Sequence, residues 1–309
     1  MYALENIIVA LDLSEMDKFI LNYTEGLCKL IQPKKVYFLN IQKNFDLDED
    51  DKDLLGLPED KPFDEHCKAE VKKSVSKHFA SFSEFNTEIN IIDGNPSEEI
   101  LKWTKVKNAD LLIMGRKKEL QGGGMAPQQI ASKVNCSILL VPEGITEFKF
   151  NNIFVPVNFN EATKLALEEA LVIKEKTKEK VDINCHYVFD LPLGYEKSGK
   201  SDEEFAERLN INAAKKFKKL KHNLGNEAAI FDYTTELLNG KNIAKVLNAK
   251  AKSLKTDLII MGAKSKTLAA QLFLGNTTKK MIIHDSTTPL LVVKNKKEAF
   301  DFWDFFSKH

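Results

Sequence analysis

Four cysteines in 309 residues (Cys28, Cys67, Cys136, Cys185), with no CxxC pair and no paired spacing, exclude a disulfide framework and a zinc ribbon. No secretory apolar segment opens the chain, so a reducing cytoplasm is the expected compartment. Apolar runs stop at five or six residues, whereas a bilayer-spanning helix needs about 20, and no membrane partner is expected. Glycine (14) and proline (9) are too sparse for a fibrous or low-complexity chain. Charge of one sign is missing too: 45 basic side chains cancel 45 acidic ones, which argues against nucleic acid as the main partner. Catalytic signatures are equally scarce. There is no nucleophile elbow, no Walker A lysine and no HExxH. The six histidines share no motif, and His66-Cys67 and Cys185-His186 lack the further pair a metal would require, so no metal site and no catalytic residue is expected.

What is present is a repeat. Asn6-Ile-Ile-Val-Ala-Leu-Asp12-Leu-Ser14-Glu15 returns 146 residues later as Asn152-Ile-Phe-Val-Pro-Val-Asn158-Phe-Asn160-Glu161. Asp110-Leu-Leu-Ile-Met-Gly115 answers Asp257-Leu-Ile-Ile-Met-Gly262 at a distance of 147, and Ser137-Ile-Leu-Leu-Val-Pro142 answers Pro289-Leu-Leu-Val-Val-Lys294 at 152. Three anchors in one order mean a tandem duplication. The last step places a five-residue length difference after the Met-Gly turn. The domains expected are 1–146 and 147–296, with 297–309 as an aromatic tail.

Within each copy the apolar runs are short, continuous and β-branched. Ile7–Leu11, Val36–Ile41, Ile89–Ile92, Leu111–Met114 and Ile138–Val141 read as strands of the first copy, and Ile153–Val157, Ile183–Phe189, Ala229–Tyr233, Leu258–Met261 and Leu290–Val293 as strands of the second. Amphipathic stretches alternate with them, one through Phe19, Leu27 and Leu30, another capped by Ser97. The fold class expected is α/β: two tandem Rossmann-like domains, each a five-stranded parallel sheet with helices on both faces. Their ligands sit beyond the carboxyl ends of the strands, at the switch point.

Segments outside this pattern are the acidic stretch Asn44 to Lys61, read as a solvated loop or short helix, and Leu191 to Ser201, its counterpart. Phe300 to Phe306 places five aromatics in seven residues, surface that docks on its own domain, on a second copy or on a membrane surface. The zero net charge also divides: residues 1–150 carry 19 basic and 25 acidic side chains, the remainder 26 and 20.

In the second copy Met261-Gly262-Ala263-Lys264-Ser265 precedes Gly275-Asn276-Thr277-Thr278 by nine residues. A glycine ending a buried strand, and another opening a helix, form either an anion cradle or a plain structural turn. The Asp and Ser-Glu after the first strand, Gly-Asn-Pro-Ser-Glu-Glu-Ile-Leu at 94–101, Ala-Asp-Leu-Leu-Ile-Met-Gly at 109–115 and the Gly-x2-Ser-x9-Gly-Asn pattern resemble the universal stress protein (UspA-like) family. That resemblance covers both copies and implies a non-enzymatic stress-response protein whose copies pack as an intramolecular pseudo-dimer, with a further homodimer open. It implies ATP with Mg²⁺ as the cofactor of members that carry the Asp and a Gly-x2-Gly-x9-Gly-Ser/Thr loop; other members bind none.

The carry-over is partial. Asp12 and Gly115 match in the first copy, but Arg116-Lys117-Lys118 follows and the loop to Gly123-Gly124 is five residues shorter. In the second, Gly262 and Gly275 match, Ser265 replaces the middle glycine, Asn276 replaces Ser/Thr as an expected helix N-cap, and Asn158 replaces the Asp. The resemblance thus implies a nucleotide held in the second copy by Gly262, Ser265, Gly275, Asn276 and Thr277, with Asn158 beside them and Lys264 and Lys266 adding charge. Against it stands a degenerate scaffold that binds a protein partner without nucleotide; the partner's identity is not written in the sequence.

Overall fold

The structure, a computed structural model, describes residues 4–43, 62–117, 127–177, 179–224, 231–263, 274–283 and 287–295. The acidic stretch after the second strand, the Gly123-Gly124 run, Ser265 with Lys264 and Lys266, and the aromatic tail lie outside them. The chain divides into two compact units, one running up to Lys149 and the other from Phe150 to Lys294.

The first unit contains β1 (Asn6–Leu11), α1 (Met16–Ile31), β2 (Lys35–Gln42), α2 (Phe63–His78), β3 (Thr87–Asp93), α3 (Pro96–Val106), β4 (Leu111–Arg116), α4 (Pro127–Lys133) and β5 (Ser137–Pro142). Its strands pair in parallel in the order β3-β2-β1-β4-β5. The continuous apolar runs are buried on both faces: Ile7, Ile8, Phe38, Leu112, Ile113 and Ile138 are each fully buried. Phe38 packs edge-on against Phe79 at 5.3 Å between ring centroids. Helix α3 is capped by Asn95, whose side chain accepts from Ser97 N at 2.9 Å, with Pro96 at the first helical position. The expected cap at Ser97 is therefore two residues late, because proline fixes the helical φ before it.

The second unit repeats the plan with β6 (Asn152–Pro156), α5 (Glu161–Lys176), β7 (Asp182–Phe189), a 3₁₀ turn (Tyr195–Ser198), α6 (Asp202–Asn223), β8 (Phe231–Leu237), α7 (Ile243–Ser253), β9 (Leu258–Gly262), α8 (Asn276–Ile283) and β10 (Leu290–Val293). The order is β8-β7-β6-β9-β10, again parallel. Strand β8 runs to Leu237, later than the apolar run suggests. As an edge strand it is exposed at alternate positions, so Thr234, Thr235 and Glu236 extend its ladder with β7 without being apolar.

The duplication reaches the backbone. Leu13 (φ 58°) and Phe159 (φ 60°) take the same left-handed turn after the first strand of each unit, and Asn108 (φ 48°) and Lys255 (φ 50°) a second one before the fourth. The aspartates of the repeated Asp-Leu-Leu/Ile-Ile-Met-Gly segments staple the amino ends of the central strands. Asp110 Oδ2 accepts from Glu5 N (2.9 Å) and Asn6 N (2.8 Å), and Asp257 Oδ2 from Asn152 N (2.9 Å). These carboxylates stand at the end of the sheet away from the switch point, so they serve the fold and not a ligand.

Candidate functional site

In both units the strand order reverses between the first and fourth strands, and the candidate residues sit at the carboxyl ends of that pair. In the first unit β1 delivers Asp12, and the turn through Leu13 leads into α1. Asp17, buried in the first turn of α1, brackets that turn: Oδ1 accepts from Asp12 N (3.1 Å) and Oδ2 from Leu13 N (3.0 Å). Burial pushes the Asp17 carboxyl up to about 7 even against these two amides, and the Asp12 charge pushes the same way.

Asp12 itself is exposed. Its Oδ1 accepts from the Ser14 backbone N–H (3.2 Å) and hydroxyl, and its Oδ2 from Lys117 Nζ at 2.7 Å. Partial desolvation by the surrounding corner is the largest influence and raises the carboxyl, but Lys117 and Ser14 together outweigh it and hold it below its ordinary value. The acid that the family resemblance assigns to a ligand is thus already paired with a lysine from the end of β4. Gly115, one residue before the end of that strand, has a packing reason to be glycine, since a Cβ there would come within 2.5 Å of Met16 Cγ.

The second unit builds the same corner from neutral groups. Asn160 caps α5 by accepting from Thr163 N at 3.1 Å. Thr163 stands where Asp17 stands in the first unit, and its buried hydroxyl accepts from Asn158 N (3.0 Å) and donates to Asn158 Oδ1 (2.6 Å). Asn160 N donates to the same Oδ1 at 3.4 Å. Gly262 ends β9, which pairs with β6, so it stands one strand from Asn158. A Cβ on Gly262 would overlap the backbone carbonyl of Ala162, so helix–strand packing alone demands glycine there.

Gly275 precedes α8 with φ 75°, and its carbonyl accepts from Lys279 N at 3.0 Å. Gly275 is accordingly the capping position and Asn276 the first helical residue, a correction to the expected Asn276 cap: glycine takes the left-handed turn without a Cβ penalty. Asn276 is exposed, Thr277 half-buried and Thr278 buried. Asn158 and Gly262 therefore share the carboxyl edge of the sheet, and Gly275, Asn276 and Thr277 form the start of one helix. Ser265 falls outside the described residues.

Two features add to the sequence reading. A cleft of about 420 Å³ opens where Phe159, Tyr187 and Phe189 at the strand ends face Leu209, Ala213 and Lys216 of α6. Phe159 and Tyr187 stand 4.7 Å apart between centroids, and Tyr187 stacks on Phe189 at 5.8 Å. The second is His186, buried on β7, with Nδ1 2.8 Å from Thr234 Oγ and Nε2 3.6 Å from a Glu236 carboxylate oxygen. Burial, followed by the Lys250 charge, lowers its pKa against the pull of Glu236. The signal for His186 lay in the repeat, because Asn40, which donates to the Leu11 carbonyl at 3.0 Å, precedes it by the same 146 residues that separate Asp12 from Asn158. Neighbouring Cys185 is buried and its thiol raised by burial; Cys67 is buried in α2. Among the described residues no three His, Cys, Asp or Glu side chains converge as metal ligands, and no helix is long and apolar enough to cross a membrane.

Two parallel α/β units in tandem, each with its switch-point turn built from equivalent residues, define a duplicated Rossmann-like protein. The model of the universal stress protein family matches residues 3–142 and again 149–294, and the chain belongs to that family. It is similar to Universal stress protein MJ0577 of Methanocaldococcus jannaschii, 28% identical over 161 residues that span 48% of this chain and 96% of that protein. In structure it resembles a universal stress protein from Archaeoglobus fulgidus, with a TM-score of 0.64, 18% identity, and 95% and 99% of the two chains covered. It also resembles a functionally unknown protein from Pseudomonas aeruginosa, with a TM-score of 0.63, 10% identity, and 99% and 98% covered.

Proposed function

We propose that the chain is a non-enzymatic stress-response protein whose second unit binds ATP or a related nucleotide. In this reading Gly262, Ser265, Gly275, Asn276 and Thr277 receive the phosphates and Asn158 lies beside them. The observation that carries the reading is the adjacency of Asn158 to the aromatic cleft. Phe159, its chain neighbour, lines that cleft with Tyr187 and Phe189, so a base has an apolar wall next to the turn that faces the strand ends. The first turn of α8, exposed at Asn276 and half-buried at Thr277, supplies backbone N–H groups and the positive end of a helix dipole.

For the first unit a scaffold reading is favoured by the Asp12–Lys117 pair, which neutralises the carboxylate a ligand would use. Isothermal titration of the full chain with ATP, beside mass spectrometry of small molecules released on denaturation, tests the assignment. One nucleotide per chain supports it, and no heat at millimolar ATP with nothing released sinks it.

A further inference from the structure

The corner around Asn158 has a polarity opposite to that around Asp12. The Thr163 hydroxyl has one proton, and its oxygen already accepts the Asn158 backbone N–H at 3.0 Å; of the two acceptors in reach, Asn158 Oδ1 at 2.6 Å and Asn160 Oδ1 at 3.5 Å, the proton goes to the nearer. The Asn160 backbone N–H, which can only donate, points at the same Oδ1 from 3.4 Å. Two donors on one atom fix the amide orientation, with Oδ1 turned into the corner and Nδ2 turned out. Among the described residues nothing accepts from Nδ2, and Asn158 is exposed. In the first unit the same geometry places Asp12 Oδ1 on the Ser14 amide and hydroxyl and turns Oδ2 out, where it holds an ammonium group at 2.7 Å. The outward atom is thus an acceptor that holds a cation in one copy and a donor in the other.

We infer that Asn158 selects its ligand through an acceptor oxygen, one belonging to a polyphosphate chain, and that binding at the second unit needs no divalent cation. The inference rests on the nucleotide reading above and departs from the Mg²⁺ dependence that the family resemblance implies. Mg²⁺ takes hard oxygen ligands, usually one or two carboxylates. Asn158 turns an N–H outward where a carboxylate would turn an oxygen, and its one oxygen is taken by two protein donors. The described residues at this corner do not fit the metal.

The test uses the full chain and three probes: ATP with excess EDTA, ATP with Mg²⁺, and inorganic tripolyphosphate. Affinity is read by titration and contact by the side-chain amide resonances of Asn158, assigned by their disappearance in Asn158→Asp. That variant keeps the turn intact, since Asp12 adopts the same turn in the first unit. The expected result is equal ATP affinity with and without Mg²⁺, a shift of the Asn158 amide signals by both ATP and tripolyphosphate, and at least a tenfold loss of metal-free affinity in Asn158→Asp, partly restored by Mg²⁺. ATP binding that requires Mg²⁺ in the wild type, or that is unchanged in metal-free Asn158→Asp, overturns the inference and leaves the nucleotide reading standing. Tripolyphosphate shifting the amide signals without any ATP binding removes the nucleotide reading and leaves the donor polarity standing. No shift with any probe overturns both.

Discussion

Replacing Asp17 by Asn should change how the stability of the first unit depends on pH. Asp17 is 2% exposed, and its carboxyl is raised from an ordinary 3.8 to about 7. Between these values the folded chain binds more protons than the unfolded one, so this group makes stability fall as pH rises from about 4 to about 7. At about 1.4 kcal/mol per unit, a displacement of about three units removes roughly 4 kcal/mol across that window. The variant has no such slope but loses one bond, because its Nδ2 would face the Leu13 N–H, at a cost of about 1–3 kcal/mol. Asp17→Asn is therefore the less stable protein at pH 4 and gains on the wild type as pH rises to about 7, ending about 1–3 kcal/mol the more stable at pH 8. Urea unfolding followed by Trp103 fluorescence, in a Trp303→Phe background, reads the first unit alone, since Trp103 lies in α3. A wild-type-minus-variant difference that stays flat from pH 4 to 8 would refute the burial argument. Thr163→Val, at the equivalent position of the second unit, should add no pH slope.

Gly262→Ala should prevent or severely weaken folding of the second unit, because the new methyl meets the Ala162 backbone, which cannot yield. Gly115→Ala meets the flexible Met16 side chain and should cost about 1–3 kcal/mol; denaturant midpoints of the two variants compare them directly. His186 is held below its ordinary pKa, so the unfolded state binds more protons below about pH 6.5 and stability is lost as pH falls through that range. His186→Asn, which installs the first copy's residue, should flatten that acid limb, and an unchanged limb would show that other groups cause it. Ser201→Ala removes one half of a capping box in which Ser201 Oγ accepts from Glu204 N at 3.2 Å. The expected loss is about 1 kcal/mol, read as a lowered midpoint for the second unit.

Much of this architecture was legible because duplication supplies its own alignment. The buried runs Ile7–Leu11 and Leu290–Val293 carry a strand signal that needs no partner to be read. Edge strand β8 was harder, since its pairing persists through polar residues that only the neighbouring ladder explains. Helix starts were misplaced at Ser97 and Asn276 because a proline and a left-handed glycine moved the caps to Asn95 and Gly275. At the site, the substitution of Asn158 for an aspartate was plain in the sequence. Its consequence was not, because the polarity of the outward atom depends on Thr163, five residues away, and on which proton its hydroxyl has left to give. The glycines held a similar trap: Gly262 reads as a ligand residue by spacing, yet its nearest demand is the carbonyl of Ala162.

Under the proposed function, nucleotide recognition belongs to the second unit and not the first. Hydrogen–deuterium exchange of the full chain, with and without saturating ATP in EDTA, tests it most directly. Slower exchange is expected at residues 158–163 and 275–279, with residues 12–17 and 115–117 unchanged. Protection confined to the first-unit segments, or no protection anywhere at saturating ATP, would contradict it.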